Sequence, residues 1–167
     1  MVGTELHWIV GPWPGKLAMA ARPRGGEWVA GEMEAWHAEG VDTVVSLLEV
    51  GEEHELNLRE ERTEAEAHGM NFQSYPIPDR QVPSSPREFA ATLQPIQQDL
   101  AAGKNVVLHC RQGVGRTGLV AACLLLSAGY KPAPAVALLS EARGVPVPET
   151  PDQRRWLDSY AERITAA

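Results

Sequence analysis

A chain of 167 residues is the length of one domain, long enough to bury a core without disulfide or metal staples. With 44% hydrophobic and 22% charged residues it has an ordinary globular composition, and its longest apolar run, Leu119 to Ala128, is about half of the roughly 20 residues needed to cross a bilayer. The net charge of −7 is unevenly spread: Glu27 to Glu66 holds 13 acids against Arg59 and Arg62, which reads as a solvated face and argues against a nucleic-acid partner, since that would call for a basic stripe.

His7 to Gly15, with Pro12 and Pro14 around Trp13, predicts extended strand or loop. Lys16 to Ala21 is a candidate second short strand, and Gly26 to Glu39 fits an amphipathic helix stopped by Gly40. Val41 to Leu48, rich in Val, Thr and Leu between two glycines, predicts a buried strand. Glu52 to His68 reads as one helix ended by Gly69, and Met70 to Ile77 as a strand. Pro76, Pro78 and Pro83 force a loop through Asp79 to Ser85. Ser85 caps a helix that starts at Pro86 and runs to Ala102, with a kink site at Pro95. Asn105 to His109 is a short apolar strand, and Arg116 to Ala128 a helix apolar on nearly all sides, hence central. Pro134 to Ala142 and Asp152 to Ile164 complete the helices. Strands interleaved with helices predict an α/β domain with a central, mostly parallel sheet flanked by helices. There is no internal repeat. The reading is a single domain, 1–167, with N-terminal strands and a helix over 1–40 and a core over 41–164.

The most informative segment runs from Val106 to Gly118: strand, glycine-bearing loop, helix. A helix N-terminus presents free N–H groups and a partial positive charge, which binds anions. Gly113 and Gly115 let the loop turn its amides inward, so Arg111, Gln112, Gly113, Val114, Gly115 and Arg116 are candidate phosphate-binding residues. Arg116 follows Cys110 by six positions, so one loop turn brings a bidentate guanidinium and a sulfur to the same phosphate. A thiol in that field ionises readily, which makes Cys110 a candidate nucleophile, and Thr117 can donate its hydroxyl to the sulfur. Taken singly, a cysteine after a strand is usually core, paired glycines a turn, and an arginine surface. Their joint spacing outweighs those readings.

His109-Cys110 with Gly113, Gly115 and Arg116-Thr117-Gly118 resembles the Cys-x5-Arg loop of the protein tyrosine phosphatase superfamily, and the short chain is similar to its dual-specificity branch. The resemblance spans Val41 to Ile164. It implies a cysteine-dependent phosphatase that forms a phosphocysteine intermediate and acts on phosphotyrosine and on phosphoserine or phosphothreonine in proteins. It implies a supporting role for His109. It also implies a general-acid aspartate on a loop like that of Asp79, which lies 31 residues before Cys110 on the proline-fixed segment after a strand. Glu149-Thr150-Pro151-Asp152-Gln153 resembles the family segment that carries a water-positioning glutamine, which would be Gln153. Glu49 is a candidate brace for Arg116.

No HExxH or paired-cysteine pattern occurs and the five histidines are scattered, so neither metal nor cofactor is expected. The two cysteines do not form a disulfide scaffold, and Met1 to Val10 lacks a signal-peptide pattern. The expected setting is therefore reducing and cytoplasmic. Cys123 reads as helix core. The expected partner is a phosphorylated protein, without nucleic acid or membrane, and a monomer is favoured. Three alternatives stand beside this reading: a phosphopeptide-binding module without turnover, a phosphatase of phosphoinositides or other small monoesters, and a rhodanese-like sulfurtransferase. The last is disfavoured by the Gly-x-Gly-Arg-Thr-Gly continuation. The second is disfavoured because Arg111 is the one basic residue among the variable loop positions.

Overall fold

The computed structural model describes residues 3–166. Five strands form one sheet: β1 (His7–Ile9), β2 (Leu17–Ala20), β3 (Thr43–Ser46), β4 (Asn71–Ser74) and β5 (Val106–His109), in the order β1-β2-β5-β3-β4. Only β1 runs antiparallel to its neighbour, so the sheet is mostly parallel, as the interleaved pattern requires. β5 is central, with Val106 opposite Leu17 on one side and Thr43 on the other.

Alternation along the strands sends successive side chains to opposite faces. Val106 and Leu108 join one core with Leu17, Met19, Val45 and the helices α4 (Pro86–Ala101), α5 (Gly115–Ser127), α6 (Pro132–Arg143) and α7 (Pro151–Ala166). Val107 joins the other with Ala18, Ala20, Val44 and the helices α1 (Val29–Ala38) and α3 (Glu61–Ala67). α5 is buried from Gly115 to Leu126 and packs on α6, α7 and the sheet, so its all-round apolarity matches its central place. A one-turn 3-10 segment, Gly26–Trp28, leads into α1. α4 continues through Pro95, and Ser85 caps it by accepting the Glu88 N–H.

The acidic stretch differs from expectation. In place of one helix from Glu52 to His68, there are two: α2 (Val50–Glu55) and α3. Asn57 takes a left-handed φ of 56° in the break between them, and the Leu56 and Asn57 carbonyls lie against Gly25, too close for any Cβ there. Helix propensity favoured one rod; the left-handed turn at Asn57, packed against Gly25, overrides it.

Candidate active site

The C-terminal ends of the parallel strands β3 and β5 open onto one cleft, where sites of such sheets collect. The cleft measures about 80 Å³ and is lined by Asp79, Arg80, Cys110, Arg111, Gln112, Gly115, Arg116 and Glu149.

The loop from Cys110 to Val114 is turned by its surroundings. The Arg22 amide binds the Arg111 carbonyl (3.3 Å), and the Arg143 guanidinium binds the carbonyls of Gln112 (2.9 Å) and Gly113 (3.1 Å). Carbonyls held outward leave the following amides facing in, toward an anion. Gly113 has φ +75°, and a Cβ there would come within 2.5 Å of the Ala20 carbonyl group, so only glycine lets the loop lie on the end of β2. Cys110 is almost fully buried, and its Sγ accepts two hydrogen bonds, from the Gly113 N–H (3.3 Å) and the Thr117 hydroxyl (3.0 Å). Two donors thus converge on one sulfur at the floor of the cleft.

Arg116 is buried, and its guanidinium is shared out. Glu52 takes both Nη atoms, at 2.6 Å and 2.9 Å. Nη1 also donates to the Ile77 carbonyl (2.9 Å), and Nη2 to Asp79 Oδ1 (3.0 Å). Among the described residues all of the guanidinium's hydrogen bonds run through the two Nη atoms. The brace is thus Glu52, not Glu49. Glu49 caps α2 in a reciprocal box with Glu52, whose amide its side chain binds, and α2's first turn carries the Glu52 carboxylate in behind the loop. Burial acts to raise the Glu52 carboxyl. Hydrogen bonds from Arg116 and the Glu49 amide outweigh it and hold Glu52 below the usual carboxylate range. Burial likewise opposes the Arg116 charge, but Glu52 and Cys110 more than offset it, so Arg116 stays charged.

A carboxyl depressed in the folded state contributes stability that is complete above its ordinary pKa of about 4.3 and is lost as pH falls through the lower folded value. We therefore expect the melting temperature to fall between pH 5 and pH 3, and Glu52→Gln to flatten that acid limb. Melting curves at intervals across that range decide it, and an unchanged slope in the variant would reject Glu52 as its source.

Asp79 stands at the mouth, half exposed, on the loop between β4 and α4. Its neighbour Arg80, in a left-handed conformation (φ 62°), pairs with Glu149 at 3.0 Å. Gln153 is fully buried beside the loop. Its Oε1 accepts the Glu149 and Thr150 amides (3.0 and 3.1 Å) and its Nε2 donates to the Gln81 carbonyl (3.1 Å), tying the acid loop to the start of α7. A Cβ on Gly115 would sit 3.0 Å from that amide, which shows how near Gln153 lies to the phosphate loop. His109 lies behind the loop, fully buried, with Nδ1 3.5 Å from the Cys110 carbonyl oxygen. Arg111 pairs outward with Glu55 (2.9 Å) and Glu52 (3.4 Å). Burial alone pushes the Cys123 thiol well up, in keeping with a core position. Both cysteines are free thiols.

The structure thus gathers Cys110, Arg116, Asp79, Thr117 and Gln153 around one cleft. Glu52, Arg143 and Glu149 were missed. Glu52 and Glu149 sit in acidic or loop segments without a distinguishing local pattern, and Arg143 ends a helix 30 and 31 positions from the carbonyls it holds.

Comparison with known proteins gives the same direction. Residues 18–130 match the family described as "Polymorphic toxin system, DSP-PTPase phosphatase". Cyclin-dependent kinase inhibitor 3 of Rattus norvegicus is 30% identical over 105 residues, 59% of this chain and 47% of the relative, so the chain spans under half that protein's length. Among solved structures, kinase associated phosphatase with its catalytic cysteine replaced by serine superposes at TM-score 0.90 with 20% identity, over 100% of this chain and 99% of that one. Tk-PTP in its active form gives 0.74 at 29% identity (89% and 93% covered). PTPMT1 in complex with PI(5)P gives 0.75 at 19% (95% and 97% covered). With the family match extending over well more than half of its residues, this chain belongs to the DSP-PTPase phosphatase family.

Proposed function

We propose that this chain hydrolyses phosphate monoesters on proteins, phosphotyrosine and also phosphoserine or phosphothreonine, through a phosphocysteine intermediate. The observation that carries this reading is the Cys110 sulfur, which accepts from Gly113 and Thr117 at the floor of a cleft walled by Arg116 and fronted by Asp79.

The phosphate docks on the amides of residues 111–116, and Arg116 grips two of its oxygens. The Cys110 thiolate attacks phosphorus in line; the S–P bond forms as the P–O bond to the leaving group breaks, and Asp79 gives that oxygen its proton. Water then attacks phosphorus, the ionised Asp79 takes its proton, and the S–P bond breaks with Thr117 stabilising the departing thiolate. Gln153 orients that water once its amide exchanges the Gln81 carbonyl for it. Positioning and charge stabilisation supply most of the rate, and the chemistry calls for no metal. We place the chain in a reducing, cytoplasmic setting that keeps Cys110 a free thiol rather than a disulfide, acting as a monomer.

Protein is favoured over phosphoinositide because each cation lining the cleft is already paired: Arg80 with Glu149, Arg111 with Glu55 and Glu52, Arg116 with Glu52 and Asp79. Only Arg116 lies where the bound phosphate itself displaces a partner, so a second phosphate on the same ligand meets carboxylates. Hydrolysis of para-nitrophenyl phosphate in EDTA, followed by a panel of phosphotyrosyl, phosphoseryl and phosphothreonyl peptides and water-soluble phosphoinositides, tests the assignment. Turnover of peptides above that of phosphoinositides is expected. The reverse order makes it a lipid-type phosphatase, and tight peptide binding without release of phosphate makes it a binding module.

A further inference from the structure

We infer that Glu61 is a positioning residue for this chemistry, setting the hydrogen-bonding state of His109 and through it the Cys110 end of the phosphate loop. This inference rests on the phosphatase reading above. Glu61 opens α3, in the acidic block whose composition suggested only a solvated face, yet it is 1% exposed. Its Oε2 lies 2.5 Å from His109 Nε2, and its Oε1 is buried with no hydrogen-bond partner among the described residues. A buried carboxylate committed to a single partner is strongly coupled to it, because nothing else offsets its desolvation.

His109 has two ring nitrogens and an acceptor at each: Glu61 Oε2 at Nε2 and the Cys110 carbonyl oxygen, longer at 3.5 Å, at Nδ1. A ring that serves both acceptors carries a proton on each nitrogen, and the carboxylate is the counter-ion that this form needs in a buried place. The hydrogen bond made by one nitrogen governs what the other can do. With Glu61 accepting at Nε2, Nδ1 is turned to the carbonyl of Cys110 itself, so the pair braces the loop directly behind the sulfur. The Trp36 ring of α1, 5.9 Å away and tilted by 52°, limits the imidazole from its own side and carries no charge. The other charged groups facing the pair come from α2 and α3. Glu53 is held above the usual carboxylate range first by burial and then by Glu61, against the pull of His109 and Arg62, with Glu52 a weaker push in the same direction as Glu61.

The test is Glu61→Gln, which keeps size and hydrogen-bonding capacity but removes the charge. We expect kcat on para-nitrophenyl phosphate to fall about tenfold, the scale for losing a carboxylate behind a functional histidine, with KM nearly unchanged. Iodoacetate alkylation of Cys110, read by mass at its own peptide, should slow in parallel. The same substitution in a His109→Asn background should add less than twofold, and Glu61→Asp should restore part of the loss. In the unmodified protein, NMR should show protons on both ring nitrogens of His109 at pH 7, which needs no variant to fold. A singly protonated His109 ring overturns the inference, as does a folded Glu61→Gln protein with unchanged kcat and alkylation, or an equal loss without His109. Because alkylation and the ring protons are read without turnover, absent hydrolysis in wild type would reject the phosphatase reading and leave this test standing.

Discussion

Replacing Cys110 with serine is expected to lower turnover of para-nitrophenyl phosphate by about 10^4-fold or more, the scale seen when a covalent nucleophile is removed, while inorganic phosphate still binds. The two halves of this result have separate origins. The sulfur sits where Gly113 and Thr117 donate to it, and a cysteine thiol is intrinsically far more acidic and nucleophilic than the serine hydroxyl that would replace it. Anion binding depends on inward amides whose carbonyls are held by Arg22 and Arg143, and on Arg116 braced by Glu52, none of which the substitution touches. Single-turnover kinetics together with phosphate titration by calorimetry separate the two. Retained turnover would reject Cys110 as nucleophile, and loss of phosphate binding would show that the sulfur holds the loop open.

Replacing Asp79 with alanine is expected to cut kcat by two to four orders of magnitude, roughly the contribution of a positioned general acid and base. The loss should be larger for phosphates with poor leaving groups, which need the proton most. The structure adds a second expectation of opposite sign. Asp79 Oδ1 holds the Arg116 Nη2 hydrogen that a docking phosphate needs, so the anion must displace the acid from the arginine. Without Asp79 that competition vanishes, and inorganic phosphate should bind a few-fold more tightly even as catalysis collapses. A leaving-group series and a phosphate Kd check both. Equal losses across leaving groups would contradict the acid role, and weaker phosphate binding would contradict the competition.

Much of the site was legible because its logic is local. Cys110, Gly113, Arg116 and Thr117 lie within eight positions, so strand–loop–helix geometry keeps them together at one end of the sheet. Asp79 was readable from a proline-fixed loop after a strand. The partners of these residues were not readable, since they act across the fold. Glu52 meets Arg116 over a separation of 64 residues, Glu61 meets His109 over 48, and Gln153 meets the acid loop over 72.

The acidic block shows the division most clearly. Charge counting treats its carboxylates as equivalent and solvated, and for most of them that holds. Glu32, Glu52 and Glu61 are buried instead, beside Arg24, Arg116 and His109 respectively. Composition and spacing by themselves determined the interleaved, mostly parallel sheet and the tight loop between β5 and α5, because short-range periodicity and backbone geometry encode them. Which acids turn inward, and which cation each one holds, was decided only by the tertiary structure, because a buried carboxylate survives desolvation where another chain segment, 64 residues away for Glu52 and 48 for Glu61, delivers its partner.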